Sequence, residues 1–190
     1  MFDQFIQKFD DLEQWLVIFT TPYYMVLILT EVLLSNYKHL NLYSIKDTIS
    51  NVYLMILNSG IDILFRGIYV GVVFTWAYNH RIMEWENAYL YWISLLIGED
   101  FLFYWLHRFD HQIRFFWATH VTHHSSEKMN FSVGFRSSVF QPLYRFIYFF
   151  PLPFLGFRPL DVVFIFSATQ IWGIFVHTRL IHKLGWLEYF

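Results

Sequence analysis

Residues 100–136, DFLFYWLHRFDHQIRFFWATHVTHHSSEKMNFSVGFR, decide how this sequence is interpreted. They hold two histidine clusters, H-R-F-D-H and H-V-T-H-H, directly after an apolar run. Residues three and four apart on a helix share one face, so each cluster can direct its imidazoles to a common point. Neutral imidazole is the commonest metal ligand in proteins. The spacing predicts a metal site at a membrane surface, with histidines that serve only structure as the alternative. The predicted ligands here are His107, His111, His120, His123 and His124.

The composition indicates an integral membrane protein. Of 190 residues, 56% are hydrophobic, 23% aromatic and 15% charged, whereas soluble domains carry about 25% charged residues. The net charge of -2 gives no basic surface for nucleic acid. There is no cysteine, which excludes disulfides, iron–sulfur clusters and thiolate ligands. A metal would therefore be held by histidine, carboxylate, carbonyl or water.

The apolar runs predict an all-α integral membrane protein with about four transmembrane helices. These helices are expected to form two hairpins, with partly re-entrant segments as the alternative. A histidine-rich helical cap is expected on the cytoplasmic side. The expected spans are 16–34, 51–78 and 88–106, with a proline-split hairpin whose arms are 139–157 and 160–178. Residues 2–16 predict a short amphipathic helix along the membrane, or a lead-in to the first span. Within 51–78, Asp62 and Arg66 are four apart and are expected to pair along one helical face.

The positive-inside rule supports this layout. The predicted cytoplasmic side carries Lys38, Lys46, Arg108, Arg114, Lys128, Arg136, Arg179 and Lys183. The opposite side carries Lys8, Arg81 and Arg158. The histidine site is therefore expected to face the cytoplasm, from the inner membrane of a bacterium or the endoplasmic reticulum of a eukaryote.

Polar neighbours of the histidines are expected to support the site. Asp100, Tyr104, His107 and His111 are spaced by four, three and four, so they line one helical stripe. Asp100 is expected to accept the N–H of a ligand imidazole and fix its tautomer, with Tyr104 as a hydrogen-bonding partner. Glu99 is interpreted as an ordinary interfacial charge. His177 follows the last apolar run on the same side and is a candidate sixth ligand, whereas the isolated histidines, 39, 80 and 182, are interpreted as interfacial residues.

The residues also limit the metal chemistry. The zinc-protease motif H-E-x-x-H is absent because Arg108 follows His107. No Glu-x-x-His pair occurs, which argues against a ferritin-like carboxylate di-iron bundle. Five histidines exceed the roughly four ligands of one zinc ion, so either some are surplus or two metals bind. An all-imidazole site able to hold iron remains.

The motifs DFLFYWLHRFDH, WATHVTHHSSEKMN and FRSS resemble the histidine boxes of the fatty acid hydroxylase/sterol desaturase superfamily, most closely its alkylglycerol monooxygenase and sterol C5-desaturase branch. The resemblance covers residues 58–190. It implies one membrane-embedded domain, 1–190, with a histidine-ligated di-iron centre that uses O2 and supplied electrons on lipid C–H bonds. It implies that the five histidines and His177, within H-T-R-L-I-H-K-L-G-W-L-E, are ligands, and that Asn130 and Arg136 support the site.

The resemblance also implies classes of lipid substrate and of electron donor. The substrate would be a fatty acyl, alkyl-ether or sterol lipid, and the electrons would come from a reduced pterin or from a cytochrome b5-like or ferredoxin-like protein. The superfamily continues from the L-G-W-L-E-like segment into a third box of the H-x-x-H-H type. Since the sequence ends at Phe190, where that box is expected, we expect it to be incomplete at its C-terminus.

Other interpretations of the residues stay open. A histidine-ligated zinc hydrolase would contain zinc and cleave lipid without O2. Haem electron transfer would give a Soret band, although the histidines are too many for one haem. A non-catalytic membrane-binding homologue would keep its metal content when His123 is replaced by alanine. The substrate, the position oxidised and the choice among hydroxylation, desaturation and ether cleavage do not follow from the sequence.

Overall fold

A computed structural model describes residues 12–181, 183, 185 and 186, and this part of the chain is all-α, without a strand. Most of the expected N-terminal amphipathic helix, together with His182, lies outside the described residues. The all-α prediction is confirmed.

The described chain is built from long helices joined by short helical turns. The first half contains α1 (Leu12–Tyr37), α2 (Ile45–Ile68), a π-helical segment (Tyr69–Phe74) and α3 (Thr75–Asn79). The second half contains α4 (Ala88–Gln112), α5 (Arg114–His120), α6 (Pro142–Arg145), α7 (Pro151–Phe154) and α8 (Pro159–Gly173). Four 3-10 turns lie between or after them, at His123–Ser125, Phe131–Phe135, Phe146–Phe149 and Ile174–Val176.

Three helical stretches among the described residues are long and apolar enough to cross a membrane: Ile18–Tyr37, Ile45–Asn79 and Pro159–Val176. Their apolar side chains are largely exposed, as in Leu33 and Ile63, which are 68% and 73% exposed. Exposed faces of this kind suit contact with lipid. α4, which contains the expected span 88–106, is not among them, because Glu99, Asp100 and several tyrosines and tryptophans lower its mean hydropathy. The structure thus supports a membrane protein without confirming four spans.

Residues 139–157 do not form one continuous helical arm. Their prolines divide them into α6, a 3-10 turn and α7, because proline lacks the N–H that a helix interior needs. Phe146, Phe149 and Leu152 are buried in a core with α4 and α8. One face of this segment therefore packs into the core, while Phe140 and Ile147 on the other face are exposed.

α2 runs through the polar Asn58-Ser59-Gly60 interruption without a break. The irregularity expected in this long stretch falls later, at the π-helical segment. The predicted pairing of Asp62 with Arg66 is confirmed, with Arg66 Nη2 2.7 Å from Asp62 Oδ2.

The polar face of α2 holds the loop that follows the histidines. Asn51 donates to Ser132 Oγ at 2.9 Å and Asn58 donates to the carbonyl of Ser138 at 2.5 Å. Both asparagines are buried. Side chains that look like interruptions of an apolar helix are therefore the contacts that position the 130–138 segment.

Candidate metal centre

The first histidine pair lies at the C-terminal end of α4. The Nε2 atoms of His107 and His111 are 3.2 Å apart, as the four-residue spacing predicts. α4 ends at Gln112 because Ile113 adopts an extended backbone, and the chain then turns back as α5. This turn brings the His120 ring within 4.9 Å of His107 and 4.8 Å of His111, measured between ring centroids.

The second cluster does not occupy one α-helical face as expected. α5 ends at His120, and His123 and His124 lie in a 3-10 turn, whose tighter winding changes the directions of the side chains. The cluster still converges, since the Nε2 atoms of His120 and His124 are 3.2 Å apart. The His124 ring centroid also lies 4.8 Å from that of His111, which joins the two clusters.

His177 completes the group from the end of α8. Its Nε2 is 3.1 Å from Nε2 of His123. Both rings donate through Nδ1 to backbone carbonyls, His123 to Arg136 at 2.7 Å and His177 to Gly173 at 2.9 Å. A carbonyl oxygen can only accept, so the proton of each ring is on Nδ1 and each Nε2 presents a lone pair.

Two facing lone pairs at 3.1 Å repel each other unless a cation lies between them. Two imidazoles on one metal, with metal–nitrogen bonds of about 2.1 Å, place their nitrogens about 3.0–3.4 Å apart. The His123–His177 separation falls in this range, and so do the other two pairs at 3.2 Å. The donor set therefore fits metal ligation. His107, His111 and His120 also offer nitrogens that all lie within 4.8 Å of one another.

The protonation state favours metal binding. Burial and the neighbouring imidazoles lower the pKa of His120 to about 3 and that of His123 to about 4. The pKa values of His107, His124 and His177 are lowered by burial as well. Neutral imidazole is the form that ligates. These rings are therefore in the ligating form at neutral pH.

Asp110 occupies the place expected for Asp100. Its buried carboxylate Oδ2 is 3.4 Å from Nδ1 of His120, although no hydrogen bond forms between them in the described structure. Tyr144 and Gln141 donate to Asp110 at 2.9 and 3.1 Å. Asp100 is exposed at the cavity edge, and no described residue donates a hydrogen bond to it. The expected contact of Asp100 with a histidine is not formed, because its helical position faces open space instead of a ring.

Tyr104 does not contact a histidine either. Its hydroxyl accepts a hydrogen bond from Arg108 Nη1 at 2.6 Å, on the exposed side of α4. Three of the four residues of the predicted stripe, Asp100, Tyr104 and His107, line one cavity.

Arg136 and Asn130 act on the loop behind the second cluster. Arg136 donates to the Thr122 carbonyl at 2.9 Å and to Asp47 Oδ1 at 3.1 Å, and its own carbonyl holds His123. Asn130, which is buried, donates to the Leu42 carbonyl at 2.6 Å and accepts from the Ser132 N–H at 3.0 Å. Both residues hold backbone near the second cluster, and their role in supporting a metal site stays a prediction.

Three acidic residues were missed or misassigned by sequence reasoning. Asp110 lies three residues after His107, a helical spacing that could have singled it out. Glu99 is fully buried and accepts from Thr169 at 3.1 Å, so it is not an interfacial charge. Glu31 is fully buried and accepts from Tyr43, Phe131 N and Thr178. Only the fold brings these donors to Glu31.

The two other histidines that the structure describes stand apart from the cluster. His80 is exposed and stacks on Trp76, and His39 is exposed at a positive φ of 54°.

A cavity of about 580 Å³ adjoins the histidines. Phe103, Leu106 and Val176 give it apolar walls, and His107, His120, His123, His124 and His177 line one side. A space of this size and character suits part of a hydrocarbon chain.

The fatty acid hydroxylase family model matches residues 92–190. This match covers both histidine clusters and His177. The chain belongs to the fatty acid hydroxylase family. Three relatives are alkylglycerol monooxygenases: from Xenopus tropicalis at 30% identity over 89% of this chain, from Danio rerio at 32% over 88%, and from Homo sapiens at 31% over 88%.

This fatty acid hydroxylase family member spans 38% of the length of each of those relatives. No solved structure matches it. The predicted superfamily resemblance is confirmed.

Proposed function

We propose that this protein is the membrane-embedded part of an O2-dependent lipid oxidoreductase, and that its six clustered histidines hold two iron ions. The observation that carries the proposal is the His123–His177 pair, whose Nε2 lone pairs face each other at 3.1 Å while both Nδ1 protons are held by carbonyls. Family membership favours iron over zinc at this site.

The iron and the protein side chains would have separate roles. Iron bound here would supply the reduction of O2 and the oxidation of a lipid C–H bond. The chain keeps the ligand rings neutral through burial and fixes their orientation through the carbonyls of Arg136 and Gly173. Asp110 lies 3.4 Å from Nδ1 of His120 and would orient that ring by accepting its N–H. Phe103 and Leu106 provide apolar surface beside the rings.

We propose an ether lipid, an alkylglycerol, as the substrate class, because the relatives are named alkylglycerol monooxygenases. Among the electron donors considered, a reduced pterin suits that substrate class, and a cytochrome b5-like or ferredoxin-like protein is the alternative. We also propose that the histidines face the cytoplasm, in keeping with the distribution of Lys and Arg.

Metal analysis and turnover of the full chain, purified in detergent after loading with iron, test the proposal. We expect about two iron ions per full-length protein and O2-dependent oxidation of 1-O-hexadecylglycerol by that protein when a reduced pterin is supplied. His123→Ala should lose metal, while His80→Ala, an exposed histidine outside the cluster, should keep it. Bound zinc with O2-independent lipid cleavage would contradict the proposal, as would tightly bound iron that never reacts with O2 and lipid.

A further inference from the structure

Arg145 is a buried cation on the wall of the histidine cavity. It is the last residue of α6 and is 8% exposed. It lines the same 580 Å³ cavity as His107 and His120. Proline at the start of α6 and the buried Phe146 after it fix the segment in the core. The guanidinium is thus held at one place beside the cavity.

The hydrogen-bonding capacity of Arg145 is unused within the described residues. Its Nε and Nη2 atoms are buried without a hydrogen-bond partner there. Its Nη1 is 3.7 Å from Asp62 Oδ1, which is beyond hydrogen-bond distance. A buried N–H group left without an acceptor costs free energy. An acceptor supplied from the cavity would remove that cost.

A purely structural arginine would have used the carboxylate beside it. Arg66 does so, since its Nε and Nη2 both donate to Asp62 Oδ2, at 3.0 and 2.7 Å. Arg145 instead packs its guanidinium over the Phe166 ring, 5.5 Å from the centroid, and leaves Asp62 Oδ1 without a hydrogen bond in the described structure. The contrast between two arginines at one carboxylate indicates that Arg145 has another role.

The local charges indicate what kind of acceptor fits. Asp62, Arg66 and Asp110 are the charged groups that act on Arg145. Two arginines and two carboxylates already balance, so an anion is not needed for neutrality. What is missing is an oxygen that accepts hydrogen bonds. A hydroxyl or ether oxygen meets that need without adding charge.

We propose that Arg145 is the polar anchor of this cavity and binds a neutral oxygen, hydroxyl or ether, at the head of an alkyl-chain ligand. The chain of that ligand occupies the space lined by Phe103, Leu106 and Val176. By holding the head, Arg145 determines which carbon lies beside the histidines. The proposal rests on the proposed function for the nature of the chain, and it adds the residue that selects the head group.

Binding measurements on the full, iron-loaded chain in detergent test the anchor. The probes are 1-O-hexadecylglycerol, hexadecane with no oxygen, and hexadecyl phosphate with an anionic head, each displacing a fluorescent alkyl probe. A hydrogen bond from a charged donor corresponds to a preference of about ten- to a hundredfold. We expect the unchanged protein to prefer the alkylglycerol over hexadecane by about that factor, and Arg145→Gln to abolish the preference while hexadecane affinity is unchanged.

Two further variants serve as controls for this test. Arg66→Gln removes the other arginine at Asp62. Because Arg66 does not line the cavity, this variant should keep the preference for the alkylglycerol over hexadecane. Arg145→Lys retains the charge in case Arg145→Gln does not fold, and should lower the preference because one ammonium replaces the planar fork. The proposal would be overturned if the Arg145 variants lost affinity for the alkylglycerol and for hexadecane equally, or if they kept the full preference. Stronger binding of hexadecyl phosphate than of the alkylglycerol would also overturn it. An Arg145-dependent preference in a protein that never oxidises lipid would instead contradict the proposed function alone.

Discussion

At the scale of single residues, two aspartates compete for the role of supporting the metal ligands. Asp110→Asn should weaken metal binding about 10- to 100-fold, the usual effect of losing a carboxylate behind a ligand histidine, because Asp110 lies 3.4 Å from His120. Asp100→Asn removes an equal charge from the exposed cavity edge and should leave the affinity unchanged. Competition with a chelator measures both. The reverse order of effects would restore the assignment to Asp100.

Glu31 is the second residue whose replacement is informative. Its buried carboxylate receives hydrogen bonds from Tyr43 at 2.5 Å, Phe131 N at 2.8 Å and Thr178 at 2.5 Å. Glu31→Gln replaces one acceptor by a donor and should cost about 1.5–3 kcal/mol, seen as a lower unfolding temperature in detergent. Because Thr178 follows His177, metal content should fall too. Glu86→Gln, at an exposed site, is the control and should change neither.

At the scale of elements, Gly156 fixes the connection between α3 and α4 against α7. It has a φ of +92°, and a Cβ at this position would clash with the carbonyl of Met83. Ile82 N and Trp85 Nε1 also donate to the carbonyls of Phe154 and Leu155, both at 3.0 Å. Gly156→Ala should therefore destabilise the protein by about 1–3 kcal/mol or more.

Gly60 provides the matched comparison for this prediction. It lies inside α2 with open space around a Cβ, so Gly60→Ala should be neutral or stabilise the helix by up to about 1 kcal/mol. Thermal unfolding of the two variants in the same detergent measures the difference. Equal unfolding temperatures would show that the α3–α4 connection is not held through Gly156.

At the scale of the whole molecule, the histidine cluster makes the metal-free protein sensitive to acid. Burial lowers the pKa values of His107, His120, His123, His124 and His177 in the folded state, His120 to about 3 and His123 to about 4. The unfolded chain, with pKa values near 6.5, binds more protons below that pH. The stability contributed by these neutral rings is complete above pH 6.5 and is lost as the pH falls toward 4.

The unfolding temperature of chelator-treated protein should therefore fall between pH 7 and pH 5. Buried carboxylates oppose this trend, as at Asp110, whose pKa is raised by burial, but the five histidines outnumber them. Iron-loaded protein should resist acid better, because protons must displace a bound metal. A chelated protein with the same unfolding temperature at pH 7 and pH 5 would contradict the lowered histidine pKa values in the folded protein.

The membrane class, the helical fold and the histidine clusters could be predicted from the sequence because they depend on local signals. Apolar length identifies helices that can cross a membrane, and the four-residue spacing of His107 and His111 gives their 3.2 Å separation. The expectations that were wrong concerned segments whose structure depends on contacts with other elements. Residues 139–157 break at their prolines, and one face of the segment packs into the core instead of forming a helical arm. α2 continues past Gly60, and the polar Asn58 beside it contacts the Ser138 carbonyl.

The sequence by itself determined that imidazoles gather at the end of an apolar helix, because helical periodicity acts over three or four residues. Only the tertiary structure decided which groups surround them. His177 meets His123 across 54 positions, and Glu31 reaches Thr178 across 147. Arg145 reaches the cavity wall through the packing of α6 against α2, and Asp110 lies beside His120 through the packing of α5 against α4. Such contacts depend on how helices pack, and packing follows from side-chain shape over the whole core, which no local pattern encodes.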